Sequence, residues 1–228
     1  MMRKFKTSDE AIFKIHVDPE VKGVIELFDG LLGHYDSGQS IQQYLEQLAE
    51  RLLAGHARRD SGIKFIVGQK LQEYDLEALF ALKFTLDDAR FCIAKEHGYK
   101  NWQEVALEKN NVDPTFESLV DSMLAGDIDT IKDAVSRDPN IVHQRSSYPH
   151  RATLLHYTGS NGVEGYRQVV PLNLAEIVDF LLEAGADQAL KANVYGGCTA
   201  RELMETSKHP YEAGVIKKVQ MTYKKYPT

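Results

Sequence analysis

Little in this 228-residue chain is suited to covalent stapling: it has two cysteines, Cys92 and Cys198, far apart in sequence. A chain of this length can build a core without disulfides, so the pair reads as reduced, partly buried thiols of a cytoplasmic protein. No run of about eighteen apolar residues is present, so a membrane-spanning helix is not expected. The basic opening Met1-Met2-Arg3-Lys4-Phe5-Lys6 is followed by Asp9, Glu10 and Lys14 where a signal peptide needs apolar residues, so none is expected there. Positive charge is also short. The net charge is -6, and acidic residues exceed basic ones both before and after Asp113. Phosphate backbones demand the opposite balance, so nucleic acid is not an expected partner. Lys217, Lys218, Lys224 and Lys225 read as a solvated helix face.

Signatures of catalysis are missing too. There is no G-x-S-x-G elbow and no Walker loop. Eight scattered histidines and two lone cysteines lack the tight spacings of a zinc site, so neither metal nor cofactor is expected. Gly159, Gly162 and Gly165 recur every third residue, but no strand precedes them and the dinucleotide fingerprint is spaced differently. They read as a turn of small residues.

What the chain does have is helical periodicity. Val21, Val24, Ile25, Phe28, Leu31 and Leu32 form one apolar stripe after Pro19, broken at Gly33 and Asp36-Ser37-Gly38. Ile41, Tyr44, Leu45, Leu48 and Leu52 form a second, ending near Gly55. Ile63 to Val67 fits a strand or a helical turn equally, and Ile12, Phe13, Ile15 and Val17 a short strand or a packed arm. Leu76, Leu79, Phe80 and Leu82 mark a short helix. Thr85 and Asp88 have the spacing of a capping box opening a helix to His97, and Asn101 caps the next. From Thr115, Phe116, Leu119, Val120 and Met123 predict one helix. Ala125-Gly126-Asp127 then makes a turn, and Ile128, Ile131, Ala134 and Val135 predict a second helix, stopped at Asp138-Pro139. Leu174, Ile177, Val178, Leu181 and Leu182 share one helix face, closed by Gly185.

Thr153-Leu-Leu-His156, Gly162 and Glu176-Ile-Val-Asp-Phe-Leu-Leu-Glu-Ala-Gly185-Ala-Asp187 together resemble one ankyrin repeat carrying about ten additional residues. Leu154 stands where that family usually has proline. Gly197-Cys-Thr199-Ala-Arg-Glu-Leu203 repeats the pattern with Glu202 at the histidine's place, followed by an outer helix from about Tyr211 to Lys224. The helix pair after Thr115 lacks the tetrapeptide. The stretch Ala89 to Trp102, with Gly98, Tyr99 and Trp102, is similar to a segment that precedes the repeats in bacterial ankyrin-repeat proteins. The resemblance implies an all-α protein: a helical N-terminal capping or adaptor region over 1–112, then an ankyrin-like α-solenoid of three repeats over 113–228, with the insertion near 163–173. Helix pairs this small need neighbours to bury their apolar faces, so the N-terminal part is expected to cover the first repeat.

The same resemblance implies non-catalytic recognition of a protein or peptide. Candidate binding residues lie on expected turns, helix starts and the insertion: His150, Arg151, Tyr157, Asn161, Glu164, Tyr166, Arg167, Tyr195 and His209. His156 reads as the family's structural histidine. The alternative is a small-molecule site or enzyme between insertion and repeats, with His150 or His156 as base beside Glu164 or Glu212 and Arg151 or Arg167 holding an anion. Convergence of these groups in one concave cavity would favour that alternative, whereas a broad open groove favours a protein partner.

Overall fold

The computed structural model describes residues 14–36 and 38–226. The opening Met1 to Lys6, Ile12, Phe13 and Ser37 lie outside the described residues. Among the described residues the chain is mostly helical, with four two-residue strands. In order come β1 (Ile15–His16), α1 (Pro19–Leu27), α2 (Ile41–Ala57), a π-helical turn over Lys64–Gly68, α3 (Gln69–Leu71), α4 (Leu76–Ala81), α5 (Leu86–Glu96) and α6 (Trp102–Ala106). The second half holds α7 (Pro114–Leu124), α8 (Ile128–Arg137), a 3-10 turn over Pro139–His143 and α9 (Leu154–Tyr157). After a 3-10 turn over Gly165–Arg167 come β2 (Val170–Pro171), α10 (Leu174–Glu183), β3 (Lys191–Ala192), β4 (Cys198–Thr199), α11 (Ala200–Thr206), α12 (Lys208–Glu212) and α13 (Ile216–Lys225). Among the described residues no helix is long and apolar enough to cross a membrane.

Side-chain caps set most helix starts among the described residues, including those expected at Thr85 and Asn101. Asp18 accepts from the Glu20 N–H ahead of Pro19. Ser40 with Gln43 and Thr85 with Asp88 form reciprocal capping boxes. Asn101, Asp113 and Asp127 accept first-turn N–H groups of α6, α7 and α8. Each cap satisfies donors that the helix cannot satisfy internally.

One stretch differs from expectation, and two resolve alternatives that the sequence left open. Ile63 to Val67 takes the helical of its two expected forms, entering a π-turn whose Phe65, Ile66 and Val67 are buried. The last outer helix is two helices, α12 and α13, because Gly214 takes a left-handed conformation between them. The arm at Ile15 forms a strand whose partner lies in the insertion: Ile15 pairs with Pro171 and His16 with Val170, antiparallel. A second hairpin pairs Lys191 with Thr199 and Ala192 with Cys198.

α7 and α8 pack as a helix hairpin, α9 lies between α7 and α11, and α10 packs on α9 and α13. In the first half α2 packs on α5, and α1 lies against the Gly165–Arg167 turn. One continuous apolar core runs through both halves. The stretch expected as a boundary is itself hydrogen-bonded to the first half: the Val112 N–H donates to Gln39 O, and the Ile41 N–H to Asn110 O.

Candidate functional site

The insertion is not an exposed loop. Glu164, Gly165, Tyr166 and Arg167 are buried between α7 and the N-terminal helices, and Arg167 keeps 2 % of its surface. Its guanidinium is the hub: Nε and Nη2 reach Asp121 Oδ1 at 3.0 and 2.8 Å, and Nη1 pairs with Glu117. Nη2 also donates to Tyr35 Oη at 2.7 Å, and Tyr35 donates to Asp121 Oδ2 at 2.9 Å. Planar, fork-shaped and always charged, arginine is the side chain that can serve several oxygens of such a cluster at once.

Three carboxylates, Glu117, Asp121 and Glu164, thus surround one guanidinium, with Glu164 Oε1 3.8 Å from Arg167 Nη1. Burial pushes the Glu117 carboxyl well above the usual carboxylate range, against the pull of Arg167. Burial opposes the charge on Glu164 as well, but His150, Arg167 and His97 together hold that carboxyl below its ordinary value. Desolvation and charge pairing therefore decide differently at two neighbouring glutamates.

His150 and Glu164 do meet, as the catalytic alternative requires, with Nε2 3.2 Å from Oε1. His150 Nδ1 accepts the Ala152 N–H at 3.1 Å. His156 Nδ1 accepts the Thr153 N–H at 3.2 Å, and its Nε2 faces Leu190 O at 3.1 Å. Both ring nitrogens of each imidazole are engaged within the protein, and burial lowers the His156 pKa to about 4. Neither ring presents a free lone pair to a substrate proton, which a general base needs.

Sequence reasoning took Tyr157, Tyr166 and Arg167, at a helix start and in the insertion, as candidate binding residues; in the structure all three are buried. The Tyr157 ring is fully buried, with the Arg167 guanidinium 5.4 Å from its centroid. Tyr166 Oη lies 3.2 Å from His97 Nε2, whose other nitrogen faces Ile93 O. The insertion folds inward because Gly165 docks against Phe65 and donates its N–H to Glu96, whose second oxygen pairs with Lys70 at 3.1 Å. Tyr35, His97, Glu117 and Asp121 were missed. Their only sequence signal is polarity on otherwise apolar faces, which does not name a partner.

The remaining candidates fall into two places. Arg151 and Tyr195 are exposed, Tyr195 by 72 %. They occupy neighbouring tips: Arg145 Nη1 donates to both Arg151 O and Lys191 O, and Tyr195 donates to Asn161 Oδ1 at 3.0 Å. His209, by contrast, is 4 % exposed on α12, beside Asp18 and Glu212.

Two open grooves lie elsewhere. One of about 600 Å³ runs along α7 and α8, past Leu119, Ala134 and Ile141; the other, about 720 Å³, is a polar trough on α2 near Arg90 and Trp102. None of the buried candidates lines either groove. The first shows that the N-terminal helices do not cover all of α7 and α8. Their contact runs through Glu117 and Asp121 instead.

No family model, no curated protein and no solved structure matches this chain. Its function is therefore argued from its own geometry.

Proposed function

We propose that this chain is a non-catalytic recognition module of ankyrin-like build, a three-repeat α-solenoid braced by its N-terminal helices, which takes a protein or peptide on the turns between repeats. The observation that carries the reading is one capping device used twice, 46 residues apart. At Thr153 the His156 ring accepts the cap residue's N–H, and at Thr199 the Glu202 carboxylate does so at 2.8 Å. Each opens a short helix, and the two helices pack side by side. The His156 contact to Leu190 O ties one repeat to the hairpin that begins the next, as stacked units require.

A protein or peptide is favoured over a small molecule because the accessible candidates, Arg151, Asn161 and Tyr195, form an open edge. Exposed tyrosine and arginine are the side chains that binding surfaces use most. The acidic balance disfavours nucleic acid, and two free thiols fit a reducing cytoplasm.

The test replaces Arg151 and Tyr195 together by asparagine. Both residues have positive φ, 54° and 48°, a conformation that asparagine accepts better than alanine does. Immobilised full-length protein should retain partners that the double variant loses, while the two melt within a few degrees of each other. Equal retention would reject the assignment.

A further inference from the structure

The N-terminal arm and the last helices meet at a cluster that the recognition reading does not use. His16 and Asp18 flank Val17 at the end of β1, and His209 and Glu212 stand one helical turn apart on α12. One ligand-type atom from each of Asp18, His209 and Glu212 lies within 4.8 Å of the other two. His16 Nε2 lies 3.5 Å from Glu212 Oε2.

Among the described residues, two ring nitrogens here are buried without a hydrogen-bond partner, His16 Nε2 and His209 Nδ1. At 3.5 Å, the approach of His16 to Glu212 is an ion-pair distance rather than a hydrogen bond. Buried imidazole nitrogens normally find a partner, so two orphans beside two carboxylates need explaining. His209 is buried by more than nine-tenths, whereas the Glu212 side chain is 44 % exposed and free to swing.

We propose that His16, Asp18, His209 and Glu212 form a binding site for a divalent transition-metal ion of the zinc class. Two imidazoles and two carboxylates are a mixed nitrogen and oxygen donor set, which suits zinc better than the all-oxygen shells of calcium or magnesium. Metal–ligand bonds of about 2.0–2.2 Å place tetrahedral ligand atoms about 3.3–3.6 Å apart, so Asp18, His209 and Glu212 must close by up to about 1 Å, and His16, which approaches through Glu212, must move in with them. Rotation of the half-exposed Glu212 side chain supplies part of that movement, and a shift of the arm at His16 the rest. Lys208 is the built-in competitor, its Nζ 2.7 Å from Asp18 Oδ2. The ion would displace this ammonium and clip the arm at residues 15–18 to α12, some 190 residues along the chain.

The experiment uses the full chain, stripped with a chelator and titrated with Zn²⁺ alone, with Mg²⁺ as control and Co²⁺ as spectroscopic probe. One Zn²⁺ per chain should bind and raise the melting temperature, and Co²⁺ should give the visible bands of a low-coordinate site. His16→Ala and Glu212→Gln, both at partly exposed positions, should each weaken binding at least tenfold. Lys208→Gln should tighten it several-fold. Zinc uptake unchanged in the His16→Ala/Glu212→Gln double variant, or Mg²⁺ bound as tightly as Zn²⁺, would overturn the proposal. Unaltered binding in Lys208→Gln would count against it equally, because Asp18 would then not be a ligand.

Discussion

Arg167 is the residue on which the two halves depend. Removing it leaves Glu117, Asp121 and Glu164 facing one another, two of them almost wholly without water. Arg167→Ala should therefore cost about 3–5 kcal/mol, read as a shift of the denaturant midpoint. Replacing Arg167 and Glu117 together by methionine should cost less than the two single changes added, since no unpaired charge then remains at that contact. Strict additivity would show that the pair is not coupled. His156 makes a different prediction. Its folded pKa, about 4, lies below the ordinary 6.5, so between those values the unfolded chain binds the extra proton. Stability contributed by the neutral ring is thus complete above about pH 6.5 and is lost as pH falls towards 4, by up to about 3 kcal/mol. Burial lowers His97 as well, which acts in the same direction. His156→Gln keeps an acceptor in the capping box but does not titrate. Its melting temperature should vary less over that window than the parent's, and parallel profiles would refute the role.

At the scale of elements, Thr199→Ala should cost about 1 kcal/mol by removing one arm of the box that starts α11. Gly165→Ala should cost more, about 1–3 kcal/mol, because a Cβ there meets the Phe65 ring and the Glu96 carboxylate. Urea titration of both variants separates the outcomes, and a silent Gly165→Ala would mean that the insertion docks loosely. The same comparison marks what could be read beforehand. Caps and apolar stripes are local, so Thr85 with Asp88, Asn101 and the Phe116 to Met123 face could be recognised without coordinates. The π-turn could not, because Ile63 to Val67 is apolar but for Lys64 and too short to show a period. Nor could the inward fold of the insertion. Tyr35 and Arg167 are 132 positions apart, and a turn rich in glycine, tyrosine and arginine looks the same whether it faces solvent or a buried carboxylate. Of the candidate binding residues, Arg151 and Tyr195 are exposed and Asn161 is half-buried, whereas the others are buried.

For the whole molecule, the halves should behave as one cooperative unit. The buried contacts of Arg167 with Tyr35, of Tyr166 with His97 and of Gly165 with Glu96 all cross between them, as do β1–β2 pairing and the Lys208–Asp18 ion pair. Expressed alone, residues 114–228 should be protease-sensitive and lack a sharp melt, whereas the full chain should unfold in a single transition. A 114–228 fragment that melts cooperatively near the parent temperature would show the repeats to be self-sufficient. The pairing of Ile15 and His16 with Val170 and Pro171 also bears on how the protein is made. During synthesis the strand at Ile15 leaves the ribosome long before its partner exists, and it must wait for some 155 further residues to be added. The native arrangement can thus close only after those residues are made, and until then that strand edge is open to chaperones or to another nascent chain.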